Sequence, residues 1–202
     1  MIYNDINKRK KYILKIKFRG KNMENRVSSI KTIDIVQVSL MAAITFIATS
    51  VIHFPTFMGV LHFGDSMIFL AAILFGKKKA AIASAVGMCL FDLMAGYTTW
   101  APFTFVIKGM MGYIAGTIAY RSGYNGDNSL NNILAFVVSG IFMIAAYYLG
   151  GAIILTFISK EFTFTKALVA ALKDIPTNIL QIIGGMVLAL PLVTALKGKV
   201  KR

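Results

Sequence analysis

Long apolar runs with few charged residues limit most strongly what this chain can fold into. Of its 202 residues, 57% are hydrophobic, and the mean hydropathy is +0.70. Soluble domains are typically about 45–50% apolar even when Gly is counted. A run of about 20 apolar residues can cross the hydrocarbon core of a bilayer as a helix. The sequence therefore predicts an all-α integral membrane protein built as one bundle.

Six apolar runs are predicted to cross the membrane: residues 33–52, 66–76, 80–97, 101–120, 133–158 and 176–196. The second run is too short to cross by itself. We therefore expect the loop 53–64 or Asp65 to lie inside the protein, where irregular backbone is tolerated at membrane depth. Residues 162–174 carry charges at both ends and predict a short interfacial helix. Residues 121–132, rich in Gly, Asn, Asp and Ser, predict a polar loop.

The basic residues predict the orientation of the bundle. Of 22 Lys and Arg residues, ten precede residue 32, and eight more lie at 77–79, at Arg121 and in the C-terminal tail. The other side has only Lys160, Lys166 and Lys173. Because basic residues mark cytoplasmic loops, both ends are expected in the cytoplasm. The net charge of +14 then reflects orientation and contact with anionic lipid rather than nucleic-acid binding.

The charge pattern also divides the chain into three parts. A basic cytoplasmic tail is expected over 1–31, a six-helix transmembrane domain over 32–197 and a second basic tail over 198–202. Met23 opens the stretch MENRVSSIKTIDIV, which is typical of the beginning of a small membrane protein. The residues before Met23 are therefore either a true tail or an artefact of the chosen start site. The long charged region is unlike that of a cleavable secretory signal.

Polar side chains within the apolar runs predict a binding pocket. In the expected orientation nearly all of them fall in the outer half of the bundle: Asp65, Asp92, Tyr97, Trp100, Thr104, Lys108, Tyr147, Tyr148, Asn178 and Gln181. Trp100, Thr104 and Lys108 are four residues apart and so share one face of a helix. The inner half is apolar. This distribution predicts an outward-facing site for a small solute rather than a conduction path.

The aromatic residues of this set can stack on a flat ring, and the polar ones can fix its orientation by hydrogen bonds. Each residue also has a structural interpretation. Asp92 and Lys108 can neutralise each other, with or without lining a pocket. Tyr97 and Trp100 can be interfacial anchors, and Asn178 can cap the last helix.

The sequence offers little support for a metal or a cofactor, and we expect neither. There is one cysteine, Cys89, so a thiolate cluster within the chain is excluded. His53 and His62 lie nine residues apart in a loop without nearby cysteine. We expect His62 to form a local hydrogen-bonded pair with Asp65 instead. No Walker loop, HExxH or GxSxG signature is present, and the protein is therefore not expected to be an enzyme.

These residues resemble a known family. Gly64-Asp65, the turn DLMAGY from Asp92, WAPFT from Trp100, IPTNILQ over 175–181, LPL over 190–192 and the basic ending are similar to substrate-binding S components of energy-coupling factor (ECF) vitamin transporters. The resemblance covers residues 33–200. It is closest to the riboflavin-type members, which are also assigned pyridoxine or hydroxymethylpyrimidine.

The resemblance implies a six-helix protein of a prokaryotic cell membrane that binds a vitamin from outside. It also implies docking on a shared module of one transmembrane coupling protein and two cytoplasmic ATPases, which powers release inward. Family members dock through small residues on the first helix, often as AxxxA. The nearest match here is Ser39 with Ala43, beside Ala42. A serine replaces one alanine of that motif and still permits close approach.

Two other classes of function compete with a vitamin-binding subunit. A stand-alone facilitator would take up its solute without an ATPase module. A membrane enzyme would use Asp65, Asp92 or His62 as acid–base groups and would turn its ligand over. A binding subunit would return the ligand unchanged.

Overall fold

The computed structural model describes residues 32–56, 60–158, 160 and 162–197. The two predicted tails, 1–31 and 198–202, lie outside these residues, as does the question of a start at Met23. By its internal contacts the chain divides into Met1–Ile35 and Val36–Arg202. Everything described below as a site belongs to the second of these units.

The described residues are mostly helical, as the sequence predicts. In chain order the helices and strands are α1 (Thr32–Val51), β1 (His53–Pro55), β2 (Val60–His62), α2 (Gly64–Met94), α3 (Ala101–Ala119), α4 (Ser129–Ile153), α5 (Phe164–Ala171) and α6 (Ile175–Leu196). Short 3₁₀ turns cover Arg121–Gly123 and Leu172–Asp174, and α4 continues as one turn of π-helix over Ile154–Ile158.

The loop predicted between the first two spans contains a small antiparallel hairpin that the sequence analysis did not predict. β1 pairs with β2 in the register His53↔His62, Phe54↔Leu61 and Pro55↔Val60. Pro55 can occupy an edge strand because such a position needs no N–H for a ladder. β1 is exposed, whereas β2 becomes progressively buried and ends at the buried His62.

The second and third predicted spans form one helical element with a break. Gly76 adopts φ 76° and ψ 179° inside α2, a conformation that is essentially restricted to glycine. The Tyr120 hydroxyl donates a hydrogen bond to the carbonyl of Ile73 at 2.9 Å, which satisfies one acceptor at the interrupted helix end. Lys77, Lys78 and Lys79 begin the second helical segment, so the interval between the predicted spans 66–76 and 80–97 is helical rather than a loop.

Helix α3 lies against this second segment at very short range. A Cβ placed on Gly116 would come within 2.5 Å of the Lys77 nitrogen, and one on Gly112 within 2.9 Å of the Ala80 carbonyl oxygen. Gly112 and Gly116 form the GxxxG pair of α3. They therefore allow direct backbone contact between α2 and α3.

The polar loop between α3 and α4 is shorter than predicted. Helix α4 begins at Ser129, and the Asn128 side chain caps it by accepting from the Asn131 N–H at 2.9 Å. The Asn131 amide donates to the Ile118 carbonyl at 2.7 Å, and the Asn132 amide to the Gly126 carbonyl at 2.8 Å. The two asparagines are thus buried helical residues that hold the turn.

Three helical stretches within the described residues are long and apolar enough to cross a membrane: Thr32–Val51, Ser129–Ile158 and Phe164–Leu196. The last of these contains the predicted interfacial segment, which the structure resolves as α5 and the following 3₁₀ turn. Many large apolar side chains on the helices face outward, including Val51, Leu130 and Val187. Such an apolar exterior suits contact with lipid.

The break at Gly76 generates a stability prediction. We expect Gly76→Ala to lower the free energy of unfolding by about 1–3 kcal/mol, because a Cβ strains this backbone conformation. Thermal unfolding of the detergent-purified protein measures the effect. Gly150→Ala is the control: its Cβ would meet Phe103 at an ordinary 3.4 Å, so no loss of stability is expected. Equal melting of Gly76→Ala and the wild type would contradict the prediction.

Candidate functional site

The turn between α2 and α3 places three of the predicted site residues together. Gly96 has φ 87°, a left-handed conformation that glycine adopts without penalty. It lets the chain reverse within six residues. The Tyr97 N–H donates to the Asp92 carbonyl at 2.8 Å, and the Trp100 N–H to the Tyr97 carbonyl at 2.9 Å. Asp92 at the end of α2 therefore lies near Trp100 at the start of α3.

One face of α3 carries the residues at four-residue spacing that the sequence indicated. Trp100 is half-buried at the helix start, whereas Thr104 and Lys108 are buried one and two turns further along. At 1.5 Å per residue this stripe descends about 12 Å into the bundle. It forms one wall of the site from the rim to the floor.

The floor of the site is a buried ion pair. Lys108 Nζ lies 2.6 Å from Asp65 Oδ1, and both side chains are 0% exposed. The second oxygen, Asp65 Oδ2, accepts a hydrogen bond from Gln181 Nε2 at 2.8 Å. Both carboxylate oxygens are thus partnered, which is the condition under which a buried charge is tolerated. The pair and its glutamine connect α2, α3 and α6.

His62, at the end of β2, connects the hairpin to the glutamine that bonds the ion pair. Its backbone N–H donates to Gln181 Oε1 at 3.3 Å, while its Nδ1 accepts from the Gly64 N–H at 3.1 Å. Burial lowers the pKa of His62 to about 3, and the nearby charge of Lys108 acts in the same direction. The imidazole is therefore neutral at physiological pH, in agreement with an unprotonated Nδ1.

Tyr147 of α4 closes the site from the other side. Lys108 Nζ lies 5.3 Å from the centre of the Tyr147 ring, within the range of a cation–π interaction. The Tyr147 hydroxyl donates to Thr104 Oγ1 at 3.1 Å. Its ring centre is 5.6 Å from that of Trp100. One tyrosine thus contacts the rim, the wall and the floor.

These elements enclose a cavity with about 570 Å³ of space between atoms, including the solvent at its mouth. The cavity is lined by Thr56, Val60, His62, Met88, Asp92, Tyr97, Trp100, Thr104, Tyr147, Asp174, Asn178 and Gln181.

Seven of the ten polar residues predicted to form the pocket lie in this lining: Asp92, Tyr97, Trp100, Thr104, Tyr147, Asn178 and Gln181. Asp65 and Lys108, the ion pair of the floor, lie behind the lining residues: Asp65 bonds to Gln181, and Lys108 lies beside Tyr147. The pairing offered for Asp92 with Lys108 is replaced by the pair of Lys108 with Asp65. The expected side-chain pair of His62 with Asp65 is likewise replaced, since His62 bonds to Gly64 and Gln181. Tyr148 is not among the lining residues.

Sequence reasoning missed several lining residues. Thr56 and Val60 belong to the hairpin region, whose strands the apolar pattern did not reveal. Met88 lies one turn before Asp92 on α2, so its four-residue spacing from Asp92 could have indicated that it faces the same site. Asp174 precedes α6 and was assigned to the interfacial segment.

The predicted docking residues of α1 do not share one face. Ser39 and Ala43 are exposed, so they remain available to a partner. Ala42 is buried against α2, where a Cβ on Gly87 would come within 2.5 Å of the Ala42 carbonyl oxygen. Ala42 therefore packs within the bundle, unlike Ser39 and Ala43, and the docking face itself stays a prediction.

The chemistry of the cavity suits binding of a flat organic molecule. Aromatic rings line it beside hydroxyl, amide and carboxylate groups. Among the residues that the structure describes, no three His, Cys, Asp or Glu side chains come close enough to share a metal ion. The arrangement can orient a ring and hydrogen-bond its edge.

The chain is similar in sequence to known proteins. The family model described as "ECF-type riboflavin transporter, S component" matches residues 29–198. An uncharacterised protein in a gap 3′ region of Pyrococcus woesei is 38% identical over 106 residues, which cover 50% of this chain and 71% of that protein. The thiamine precursor transporter HmpT of Lactococcus lactis subsp. cremoris (strain MG1363) is 29% identical over 154 residues, which cover 75% of this chain and 80% of that protein.

The ion pair of the floor generates a second prediction. We expect Lys108→Met to destabilise the protein by about 3–5 kcal/mol, because it leaves the buried carboxylate of Asp65 without its counter-charge. Adding Asp65→Asn should recover part of this loss by removing the stranded charge. Thermal unfolding in detergent measures both variants.

Lys166→Met is the control for this experiment. Lys166 is exposed on α5, and its replacement should leave the melting temperature close to that of the wild type. If Lys108→Met melted like Lys166→Met, the ion pair would not hold the floor together.

Proposed function

The chain belongs to the family of ECF-type riboflavin transporter S components, and from this premise we propose that it is the substrate-binding subunit of a vitamin transporter. It captures a small heteroaromatic vitamin or precursor of the riboflavin, pyridoxine or hydroxymethylpyrimidine class. It returns the ligand unchanged and so is not an enzyme. Uptake is powered by ATP that a separate module hydrolyses.

The cavity beside Trp100 and Tyr147 is the observation that carries this proposal. Three aromatic side chains, Tyr97, Trp100 and Tyr147, line it together with buried polar groups at Asp92 and Gln181. Aromatic walls favour a flat ring, and a few fixed polar groups give it one orientation. The relative from Lactococcus lactis, which carries the name of a thiamine precursor transporter, supports a ligand of this kind.

The distribution of charge supports an outward-facing cavity. Helix α3 has 19 residues and so measures about 28 Å. The cavity lies at its Trp100 end. Lys77 lies at the other end, beside Gly116, and Arg121 follows there. Because basic residues mark the cytoplasmic face, we place the mouth of the cavity outside the cell. In this proposal six spans cross a prokaryotic plasma membrane, and both ends of the chain are cytoplasmic.

The apolar interior of α3 supports binding rather than conduction. Beyond Lys108, the buried residues of this helix are Met111, Gly112, Ala115, Gly116 and Ala119. A pore or proton path would need polar groups along this half. A ligand bound above this apolar half of the bundle reaches the cytoplasm only when the whole subunit changes its position or shape. Such a change requires a partner.

The exposed face of α1 suits that partner. Ser39 and Ala43 are four residues apart and exposed, so a helix of the transmembrane coupling protein can approach closely there. Two cytoplasmic ATPases complete the module in this proposal.

The proposed function is tested first by identifying the bound molecule. We expect protein purified in mild detergent to carry a heteroaromatic vitamin or precursor at a near one-to-one ratio, as measured by native mass spectrometry. Titration calorimetry with riboflavin, pyridoxine and a hydroxymethylpyrimidine then gives the affinities. A protein that purifies empty and binds none of the three would contradict the proposal.

Trp100→Ala tests the cavity itself. We expect it to weaken binding of the identified vitamin by about tenfold or more, because one aromatic stacking partner contributes about 1–3 kcal/mol. Phe105→Ala is the matched control, since Phe105 is on the same helix but is 47% exposed on the outer surface. Calorimetry measures both affinities. Unchanged binding by Trp100→Ala would make Trp100 an interfacial anchor and not a ligand contact.

Ala43→Trp tests docking separately from binding. We expect it to keep the wild-type affinity for the vitamin but to abolish ATP-dependent uptake in vesicles that contain the complete transporter. Ala145→Trp, which places the same side chain at an exposed position of α4, should leave uptake intact. Uptake by the wild-type subunit alone, without the ATPases, would favour the stand-alone facilitator instead.

A further inference from the structure

Helix α1 contacts one wall of the cavity from outside it. That wall is Met88, a buried residue of α2 that lines the cavity. The Met88 sulfur lies 3.3 Å from the hydroxyl oxygen of Thr49 on α1. Thr49 is also buried, but it is not one of the described residues that line the cavity. Thr49 therefore reaches the cavity only through the side chain of Met88.

Two glycines of α2 bring α1 this close. A Cβ on Gly87 would come within 2.5 Å of the Ala42 carbonyl oxygen, so a glycine is needed for the two backbones to lie against each other here. A Cβ on Gly64 would collide with the Thr49 hydroxyl oxygen and would lie 3.1 Å from the Met88 sulfur. The absence of both side chains thus places Thr49 directly on Met88.

The Thr49 hydroxyl is itself held in one orientation. It donates a hydrogen bond to the Thr45 carbonyl one turn earlier on α1, at 2.8 Å. Such a bond within the helix lets a hydroxyl face the interior without an unsatisfied donor. The same proton is shared with the Met88 sulfur, which is a weak acceptor. The oxygen of Thr49 therefore has a fixed position beside Met88.

Methionine is the type of side chain that benefits from such a contact. It is unbranched, has three rotatable bonds and adapts readily to its surroundings. A ligand that has to immobilise a flexible side chain binds less tightly by the cost of ordering it. A contact that fixes Met88 before the ligand binds removes this cost.

We propose that Thr49 is a positioning residue of the cavity: it holds the Met88 side chain in place, so that α1 raises the affinity for the ligand without touching it. This inference rests on the proposed function and deepens it, since α1 is assigned there only to docking. Ser39 and Ala43 are on the exposed side of α1, whereas Thr49 is buried. One helix thus serves the partner with one face and the cavity with another.

The test measures ligand affinity in two variants of Thr49. The probe is whichever of riboflavin, pyridoxine and a hydroxymethylpyrimidine the wild-type protein binds in titration calorimetry. Thr49→Ala removes the hydroxyl, and we expect it to weaken binding by about three- to tenfold, the cost of immobilising one flexible side chain. Thr49→Ser retains the hydroxyl and should bind nearly as tightly as the wild type.

Met88→Leu shows whether Thr49 acts through Met88. Leucine has a similar volume but lacks the sulfur and one rotatable bond. Thr49→Ala should therefore weaken binding much less in a protein that already carries Met88→Leu than in the wild type. Such non-additivity in ligand affinity is expected of two residues in contact, and a general loss of stability would not produce it.

Thr45→Ala is the matched control. Thr45 is buried one turn earlier on α1, and its hydroxyl makes the same type of bond, to the Met41 carbonyl at 2.7 Å. Thr45 packs against Gly87, and its replacement should leave the affinity unchanged.

Three outcomes would overturn the inference and leave the proposed function standing. They are wild-type affinity in Thr49→Ala, equal weakening by Thr45→Ala, and fully additive effects of Thr49→Ala and Met88→Leu. A wild-type protein that binds none of the three compounds would overturn both the inference and the proposed function.

Discussion

The ion pair between Asp65 and Lys108 connects the elements on which the cavity depends. Asp65 is the second residue of α2, Lys108 is in the middle of α3, and Gln181 joins them from α6 while it also accepts from the hairpin at His62. Removing two charges from water costs several kcal/mol per ion, which the attraction between them offsets only when their remaining atoms are bonded. Here every oxygen of the carboxylate has a partner, so the pair fixes how the helices meet.

Close backbone packing near the C-terminal end of α3 complements this polar connection. The Tyr120 hydroxyl bonds to the Ile73 carbonyl beside the break at Gly76, and Gly116 lets α3 touch the backbone of Lys77. Helix α3 is thus held at its middle by an ion pair and near its end by the absence of side chains. A rigid α3 keeps Trp100, Thr104 and Lys108 in a constant relation to each other, as a binding site requires.

Patterns within single helices predicted much of this arrangement, and contacts between elements were harder to predict. Apolar runs located the helices, and the motifs around Asp92 and Trp100 indicated the family, which the comparison confirms. The partner of Lys108 was predicted to be Asp92 and is Asp65, because a pattern within one helix does not show which carboxylate a neighbouring helix brings close. The hairpin was missed because three-residue strands in an apolar loop leave no periodic signal. Asn131 and Asn132 were predicted to lie in a loop, because asparagine favours turns. In the structure both are buried residues near the start of α4.

Asp65 and Asp92 show how two buried carboxylates of one bundle can differ in their hydrogen bonds. Both carboxylates lie within the bundle, both are nearly inaccessible to solvent, and both are within the influence of Lys108. Asp65 has a cation on one oxygen and an amide on the other, so a ligand could add nothing to it. Asp92 lines the cavity, and its buried Oδ2 accepts no hydrogen bond from any described residue. The sequence shows two acidic residues in apolar runs, and only the packing of the helices distinguishes the carboxylate that is fully bonded within the bundle from the one that is not.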